Sequence, residues 1–335
     1  MSGEFVWRDA GRTVLLRHGA LASAPEQHAE HGFESIDLLI TPRALAGAPG
    51  LAAAAAAVHE VPPGQVPDTA AALLKIAAAQ RLVALGGGRV IDTAKAIAAV
   101  SGAEVATIAT TMSGAEMTGI HRLPAGAEGQ VRGAVRPALV LADPEAMTSQ
   151  PESPLRFSSM NALAHGIDSL YTPFDNPVSR LAALRGAELI ATAFDQPRAQ
   201  RDAAALVTGG LLCGYAIDSG SFGLHHVVCQ TLVRVCGSPH AETNAAILPG
   251  AAAFLAARAP ERMAGVAAAI AADPDHVEPR IRELGGNPPG LGTAGADRSR
   301  VDEAVEAMLR RSELGFVPGP PLTKDDLAQL IAAAW

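Results

Sequence analysis

Within the first 150 residues, short apolar runs alternate with alanine-rich stretches, and no other feature of the chain restricts its fold as strongly. The apolar runs occupy residues 13–16, 36–41, 82–85, 105–110 and 138–141. The intervening stretches with helical spacing of apolar residues are 51–58, 68–79 and 92–100. Strands that alternate with helices of this length are typical of a doubly wound parallel sheet with helices on its faces.

After Asp143-Pro144 the strand signals stop, and nearly every segment from about residue 154 to the end has helical spacing. We therefore predict an α/β domain over residues 1–150 and an all-helical domain over residues 151–335. The default location for a site in such a chain is the cleft between its two domains.

Composition excludes several classes of protein. The net charge of −8 and the scattered basic residues leave no patch for nucleic acid or an anionic membrane. No apolar run reaches the roughly 18–20 residues of a membrane span, and residues 1–12 lack the plan of a signal peptide. Cys213, Cys229 and Cys236 form no CxxC pair and are expected to be reduced, buried thiols. We expect a cytoplasmic protein.

The most informative segment of the first domain is LVALGGGRVIDTAKAIA, residues 82–98, in which an apolar strand leads through three glycines into a helix. Gly86, Gly87 and Gly88 let the backbone turn sharply and keep side chains away from a bound phosphate. The N–H groups at the start of the helix then face that anion. Asp92 and Lys95 are placed to support this turn. A plain strand-to-helix turn would show the same pattern.

Hydroxyl side chains follow the next strand, in VATIATTMSGAEMTG at residues 105–119. Thr110, Thr111 and Ser113 lie at its carboxyl end, where open α/β sheets bind their ligands. They are candidates to donate to a pyrophosphate or to the nicotinamide ribose. The alternative is a turn capped by Ser and Thr.

The informative residues of the helical domain are histidines near the starts of helices. Asn161 and His165 are four residues apart and share a helix face, whereas His225 and His226 open one helix and His240 opens the next. His165, His226 and His240 together are able to approach one divalent metal, with an oxygen ligand completing the shell. Each of these histidines alone would be read as a polar cap or a core residue.

The segments described above resemble the motifs of a known family. GGGRVIDTAK and TIATTMSGAEMT are similar to the glycine motif and the PTTxxxSEMT segment of the iron-containing (group III) alcohol dehydrogenase superfamily. NALAHGIDSLYTPFDNP and GLHHVVCQTLVRVCGSPHAETNAAILP resemble two signatures of its maleylacetate reductase branch, NAxAHxxEALYAPxxNP and GLHHxxCHxLGGxxxxPHAETHxxxLP. The end, VPGPPLTKDDLAQLIAAAW, is similar to that of the family, so the resemblance covers most of the chain in order.

The resemblance implies an α/β dinucleotide-binding domain with a parallel sheet, followed by an all-helical substrate and metal domain. It also implies a role for each matching residue. Gly86, Gly87 and Gly88 would hold the pyrophosphate of NAD or NADP, and Thr110, Thr111 and Ser113 would contact the phosphate or nicotinamide end. In metal-dependent relatives, one Asp and three His bind iron or zinc. The histidine positions match His165, His226 and His240, but Asn161 stands at the position of the Asp, as is usual in the maleylacetate reductase branch. Because the anionic ligand is lost, we expect a metal-free or weakly metallated site.

Other differences from the family motifs leave the identity of the substrate open. Gln230 replaces a second family histidine, four residues after His226, and an amide does not carry a proton as imidazole does. LRHG replaces FGxG at residues 16–19, and the stretch 121–136 is short, with Arg132 and Arg136 but no lysine. Pro42 stands where relatives place the acid that binds the NAD ribose, and Arg43 would favour the 2′-phosphate, so NAD and NADP are not separable.

The leading hypothesis is an NAD(P)H-dependent reductase of a small unsaturated or keto carboxylate, of the maleylacetate to 3-oxoadipate type. His165, His226 and His240 would line the pocket, His225 or His240 would donate the proton, and Gln230 would lie beside them. Candidates to bind a substrate carboxylate are Arg122, Arg156 and Arg234. The alternatives are a metal-dependent alcohol or aldehyde dehydrogenase of the same superfamily and a non-redox or ligand-binding descendant. We expect a homodimer, as is common in the family.

Overall fold

The protein is described by a computed structural model that covers residues 5–9, 11–77, 79–127, 129–130 and 133–335. Its contacts divide the chain into two compact units, Met1–Ser149 and Gln150–Trp335. Of the residues singled out in the sequence, Arg132 lies outside the described residues.

The first unit contains a seven-stranded sheet. Its strands are β1 (Phe5–Asp9), β2 (Arg12–Leu16), β3 (Asp37–Ile40), β4 (Ala57–Glu60), β5 (Arg81–Gly86), β6 (Glu104–Ala109) and β7 (Leu139–Ala142). Its helices are α1 (Ala24–Glu30), α2 (Pro42–Leu45), α3 (Pro49–Ala54), α4 (Val66–Leu73), α5 (Gly88–Ser101) and α6 (Pro144–Thr148). The strand order is β1-β2-β7-β6-β5-β3-β4. Only the β1–β2 pair is antiparallel among the described pairs, so the predicted parallel α/β fold is confirmed.

The register of the two central strands positions the candidate cofactor residues. Gly86, the last residue of β5, pairs with Ala109, the last residue of β6. The side chains of Leu85 and Ile108, one residue earlier, are almost completely buried in the core of the sheet. Because parallel strands end at the same edge, the glycine turn and the hydroxyl-rich segment after Ala109 emerge side by side.

The structure corrects two details of the sequence prediction. Residues 51–58 were expected to form one helix, but helix α3 ends at Ala54 and Ala57–Glu60 form the edge strand β4. Val58 is 40% exposed, so this strand lacks the apolar face by which buried strands are recognised. The predicted helix over 68–79 is also shorter, because α4 ends at Leu73.

The second unit is helical throughout its described residues. Its helices are α7 (Glu152–Ser169), α8 (Pro177–Asp195), α9 (Ala203–Gly220), α10 (Leu224–Cys236), α11 (His240–Arg258), α12 (Pro260–Ala269), α13 (Val277–Leu284), α14 (Val301–Leu309) and α15 (Lys324–Ala333). Short 3₁₀ helices lie at Arg198–Gln200, Pro274–His276, Arg298–Arg300 and Ser312–Phe316.

Helices α8 and α9 cross with their backbones in direct contact. A Cβ atom added at Gly186 would lie 2.9 Å from the carbonyl oxygen of Gly209, and one at Gly209 would lie 2.9 Å from that of Gly186. Helix α9 is the one helix in the described part of the chain that is long and apolar enough to cross a membrane. Helices in the core of a protein are often as long and as apolar as this. The 18 residues of α9 are 61% buried, and the helix packs against α7 and α8.

Candidate active site

The glycine turn of the first unit forms an open helix N-terminus. Gly87 precedes α5 in an extended conformation, and no described side chain caps this helix. The 14 residues of α5 therefore present their first backbone N–H groups without a competing side-chain oxygen. Such an end attracts an anion through its N–H groups and the helix dipole.

The predicted hydroxyl residues lie directly against this turn. A Cβ atom added at Gly87 would be 3.2 Å from the hydroxyl oxygen of Thr111, and one at Gly88 would be 2.9 Å from the Cβ atom of Ser113. The N–H of Thr110 donates to the carbonyl oxygen of Gly86 at 3.0 Å. The structure thus brings together the two segments that the sequence predicted to share a cofactor site.

Lys95 stabilises the loop beside the turn. Its side chain is fully buried, and Nζ donates to the carbonyl oxygens of Ala115 at 2.9 Å and of Ile120 at 2.7 Å. It also lies 3.4 Å from the carboxylate of Asp92. Burial raises the pKa of Asp92, and the Lys95 charge opposes that rise. Both residues therefore support the loop after β6, which contains Ser113.

Glu116 is a buried carboxyl group that the sequence analysis did not single out. It is 1% exposed, one oxygen accepts from Ser113 Oγ at 3.3 Å, and Oε1 has no hydrogen-bond partner among the described residues. Burial raises the pKa of Glu116 to about 7, although its hydrogen bonds and the nearby Lys95 favour the charged form. The group is therefore close to half protonated at neutral pH.

We expect the Glu116→Gln variant to be more stable than the wild type at pH 8 and to lose this advantage at pH 4.5. An acid whose pKa is raised by folding contributes full stability below its unfolded pKa of about 4.3 and loses it as the pH rises through 7. The difference should approach about 3 kcal/mol, at about 1.4 kcal/mol per pKa unit. Urea unfolding at both pH values measures it, with the exposed Glu104→Gln as control. A pH-independent difference would contradict the prediction.

In the second unit, three aromatic rings form a stack in which His226 is the middle ring. The ring of His226 is parallel to that of His165, with centroids 4.6 Å apart, and lies on the other side 4.8 Å from the ring of Phe222. His165 and Asn161 are buried on α7, and His226 is buried on α10. The stack holds the plane of the His226 imidazole, so only the edges of this ring are available for chemistry.

Asp168 binds both the ring and the backbone at the start of α10. Its Oδ2 lies 2.7 Å from His226 Nδ1 and accepts from the backbone N–H groups of Gly223 and His226, each at 3.1 Å. Its Oδ1 accepts from the hydroxyl of Tyr171 at 2.5 Å. Burial alone would raise the pKa of Asp168, but the hydrogen bond and charge of His226 outweigh it and lower the pKa to about 2.

These contacts fix the proton on His226. Because the Asp168 carboxylate is ionised, Nδ1 carries a proton and donates it to Oδ2, and Nε2 is left as the edge of the ring that faces no described partner. Nε2 is buried and has no hydrogen-bond partner in the part of the chain that the structure describes. An oriented imidazole with a supporting carboxylate and one open nitrogen is equipped to move a proton.

Asp168 was not among the residues predicted from the sequence, although one signal was available. Asp168 lies three residues after His165, on the same face of α7, in a segment whose other residues are buried. A carboxylate in such a segment requires a partner. The partner itself, 58 residues further along the chain, is given only by the tertiary structure.

The other predicted residues of this unit lie near the stack with different contacts. His225 is fully buried, its Nε2 lies 2.8 Å from the Asn244 side-chain oxygen, and burial lowers its pKa to about 3. His240 is exposed at the start of α11, yet the surrounding protein lowers its pKa to about 4. Burial also lowers the pKa of His165 well below its usual value. These three imidazoles are therefore neutral at pH 7.

Comparison with known proteins agrees with this arrangement. Residues 12–144 match the iron-containing alcohol dehydrogenase family, and residues 157–335 match the C-terminal part of the Fe-containing alcohol dehydrogenase family. The chain belongs to the iron-containing alcohol dehydrogenase family. It is therefore an oxidoreductase, and the predicted membership is confirmed.

Relatives within this family are maleylacetate reductases. Maleylacetate reductase 1 of Rhodococcus opacus is 31% identical over 84% of this chain and 79% of its own length. The maleylacetate reductase of Burkholderia cepacia is 34% identical over 76% of this chain and 73% of its own. The crystal structure of maleylacetate reductase from Agrobacterium tumefaciens superposes with a TM-score of 0.84 at 26% identity, covering 99% of this chain and 98% of that one.

The metal of iron-containing alcohol dehydrogenases does not fit the described residues. Asn161 supplies a neutral amide where a carboxylate would be needed, and the rings of His165 and His226 are stacked face to face with centroids 4.6 Å apart, so the nitrogens of these two rings lie in two nearly parallel planes. Within the described ranges, no group of three or more His, Cys, Asp and Glu side chains is arranged to hold a metal ion.

The arginines proposed from the sequence have other surroundings. Arg156 donates to Glu152 at 2.7 Å and to the carbonyl oxygen of Leu284 at 2.8 Å, and its guanidinium lies over the ring of Phe194. Arg122 and Arg234 are exposed. Arg156 is thus part of the packing between helices of the second unit.

Proposed function

We propose that this protein is an NAD(P)H-dependent reductase of a small unsaturated keto carboxylate, of the type that converts maleylacetate to 3-oxoadipate. The curated maleylacetate reductases at 31–34% identity support the substrate class. The observation that carries the proposal is the Asp168–His226 pair, in which Nε2 is open and Nδ1 is held by a carboxylate.

The first unit is proposed to bind the cofactor. The N-terminus of α5 at Gly87 and Gly88 would hold the pyrophosphate, since any larger residue there would collide with Thr111 or Ser113. The proposed cofactor site also includes Gly86, Thr110, Thr111 and Ser113. Asp92 supports the turn through its contact with Lys95. When bound, NADH or NADPH supplies a hydride to the substrate.

The second unit is proposed to bind the substrate and to manage its proton. Hydride addition at the carbon β to a keto group leaves negative charge on the keto oxygen and the carbon between them. Protonated His226 would stabilise that charge and then donate its Nε2 proton to the carbon, completing the uptake of one hydride and one proton. The ionised Asp168 offsets the positive charge of the ring throughout.

The proposed proton donor, His226, differs from the two residues that the sequence suggested for this role. His225 and His240 were expected to donate the proton, but pKa values of about 3 and about 4 leave them almost entirely neutral at pH 7. The ring of His225 is also bonded to Asn244. We propose that His165, His225 and His240 shape the pocket, with Gln230 one helical turn from His226.

The test is the oxidation of NADH and of NADPH at 340 nm by the purified protein with maleylacetate. We expect one cofactor oxidised per 3-oxoadipate formed, and a loss of about 100- to 10,000-fold in kcat for His226→Gln. The exposed His276→Gln, whose side chain is 69% accessible, should retain wild-type activity. Cofactor binding without reduction of this substrate or other keto carboxylates would refute the proposal.

Two finer properties belong to the same proposal. A cytoplasmic location and a homodimer are expected from the sequence, and light scattering of the purified protein measures the second. Metal content, with activity before and after chelation, tests the expected metal-free site. Loss of activity on chelation that returns with iron or zinc would instead indicate a metal-dependent alcohol dehydrogenase.

A further inference from the structure

Arg311 lies beside the residue that departs from the family pattern. Its Nη1 and Nη2 donate to the side-chain oxygen of Gln230 at 3.5 and 3.4 Å. Arg311 follows helix α14 and directly precedes the 3₁₀ helix Ser312–Phe316. Both elements pack against α10, the helix that contains Gln230. Arg311 therefore contacts a residue that lies 81 positions earlier in the chain.

Gln230 places that guanidinium near the proposed proton donor. Gln230 is four residues after His226 on α10, and residues four apart on a helix are neighbours on one face. Gln230 is half-buried, and the side chain of Arg311 is 24% exposed. The positive charge is therefore partly shielded from water but still accessible to a small ligand.

The amide at position 230 suits this arrangement better than the imidazole found in relatives. The oxygen of Gln230 has two lone pairs and accepts from two guanidinium nitrogens, whereas a neutral imidazole offers one acceptor and a protonated imidazole offers none. The amide is also uncharged, so it orients Arg311 without cancelling its charge. An oriented guanidinium matches the geometry of a carboxylate.

We propose that Arg311 binds a carboxylate of the substrate and that Gln230 is the residue that positions it. The inference rests on the proposed function, which supplies a dicarboxylic keto acid as substrate. It assigns carboxylate recognition to Arg311 instead of Arg122, Arg156 or Arg234. The specificity of this chain for carboxylate substrates would thus depend on the contact that replaced the family histidine.

Glu313 competes for the same guanidinium group. Its carboxylate accepts from Arg311 Nε at 3.2 Å and from Nη2 at 2.5 Å, whereas Nη1 makes, among the described residues, the longer contact to Gln230 at 3.5 Å. A bound carboxylate would pair with Nη1 or displace Glu313. Removing the Glu313 charge should therefore strengthen substrate binding, and removing Arg311 should weaken it.

The test compares steady-state kinetics for maleylacetate in Arg311→Gln, Arg311→Lys, Gln230→Leu and Glu313→Gln. We expect Arg311→Gln to raise KM by about 10- to 100-fold with a smaller change in kcat, since a hydrogen bond to a charged group is lost. Arg311→Lys should recover part of the loss, and Gln230→Leu should raise KM less. Glu313→Gln should lower KM. The adjacent, exposed Arg310→Gln is the matched control and should leave both constants unchanged.

A binding measurement separates this inference from the proposed reaction. Calorimetry with adipate, a six-carbon dicarboxylate, and with its monoamide should show a preference for adipate that Arg311→Gln removes and Arg310→Gln keeps. If the wild type binds adipate in this way but reduces no keto acid, the proposed function fails and the carboxylate site stands. If Arg311→Gln keeps the preference, or if the wild type shows none, the Arg311 assignment is wrong.

Discussion

Replacing Asp168 with asparagine is expected to lower kcat by about 100- to 10,000-fold and to destabilise the protein by about 3–5 kcal/mol. The asparagine NH₂ group would face His226 Nδ1 as a donor and would disfavour the protonated ring, which needs an acceptor at Nδ1. The charge that supports protonated His226 would also be lost. The stability loss follows because the buried backbone N–H groups of Gly223 and His226 lose a charged acceptor.

Two further variants serve as controls for Asp168→Asn. Tyr171→Phe removes one of the hydrogen bonds to Asp168 but keeps the carboxylate, so it should cost about 1 kcal/mol and little activity. Asp273→Asn, at a side chain that is 87% exposed, should have no measurable effect. Stopped-flow reduction and urea unfolding measure the two quantities. An Asp168→Asn protein with wild-type kcat would show that His226 needs no carboxylate.

The second large effect is expected at the glycine turn, where Gly88→Ala should weaken the binding of NADH or NADPH by about 100-fold, or about 3 kcal/mol. The new methyl group would lie 2.9 Å from the Cβ atom of Ser113 and would push that segment away from the start of α5. Both sides of the proposed pyrophosphate site would then be displaced. Quenching of protein fluorescence or calorimetry measures the affinity.

Gly102→Ala is the matched control on the same helix. Gly102 ends α5 with a φ of +82°, so an alanine there is strained and should cost about 1 kcal/mol of stability. It lies at the far end of the helix from the glycine turn and should leave cofactor affinity unchanged. Equal losses of affinity in both variants would indicate a general effect on folding and would remove the support for a phosphate site at Gly88.

The fold and the glycine turn were predictable because they depend on local order along the chain. A buried strand, three glycines and a helix are consecutive, and the pairing of parallel strands β5 and β6 then brings Thr111 and Ser113 beside them. The edge strand β4 was missed since its half-exposed residues have no apolar pattern. That the turn and the histidines share one cleft stays a prediction from the sequence.

The supporting contacts of the histidines were not predictable from local patterns. The sequence indicated His165 and His226, but their stacking and the role of Asp168 depend on how α7 packs against α10. Gln230 was recognised as a departure from the family, whereas its partner Arg311 lies 81 residues away. A motif identifies which residues do chemistry more readily than it identifies the residues that orient them.

The crossing of α8 and α9 limits how this enzyme is able to evolve. Gly186 and Gly209 are in backbone contact, so a single substitution at either position forces the helices apart in a close-packed interior. A single substitution at either glycine is therefore expected to destabilise the second unit. We expect lineages of this enzyme to acquire new substrate ranges at pairs such as Gln230 and Arg311 while inheriting the crossing unaltered.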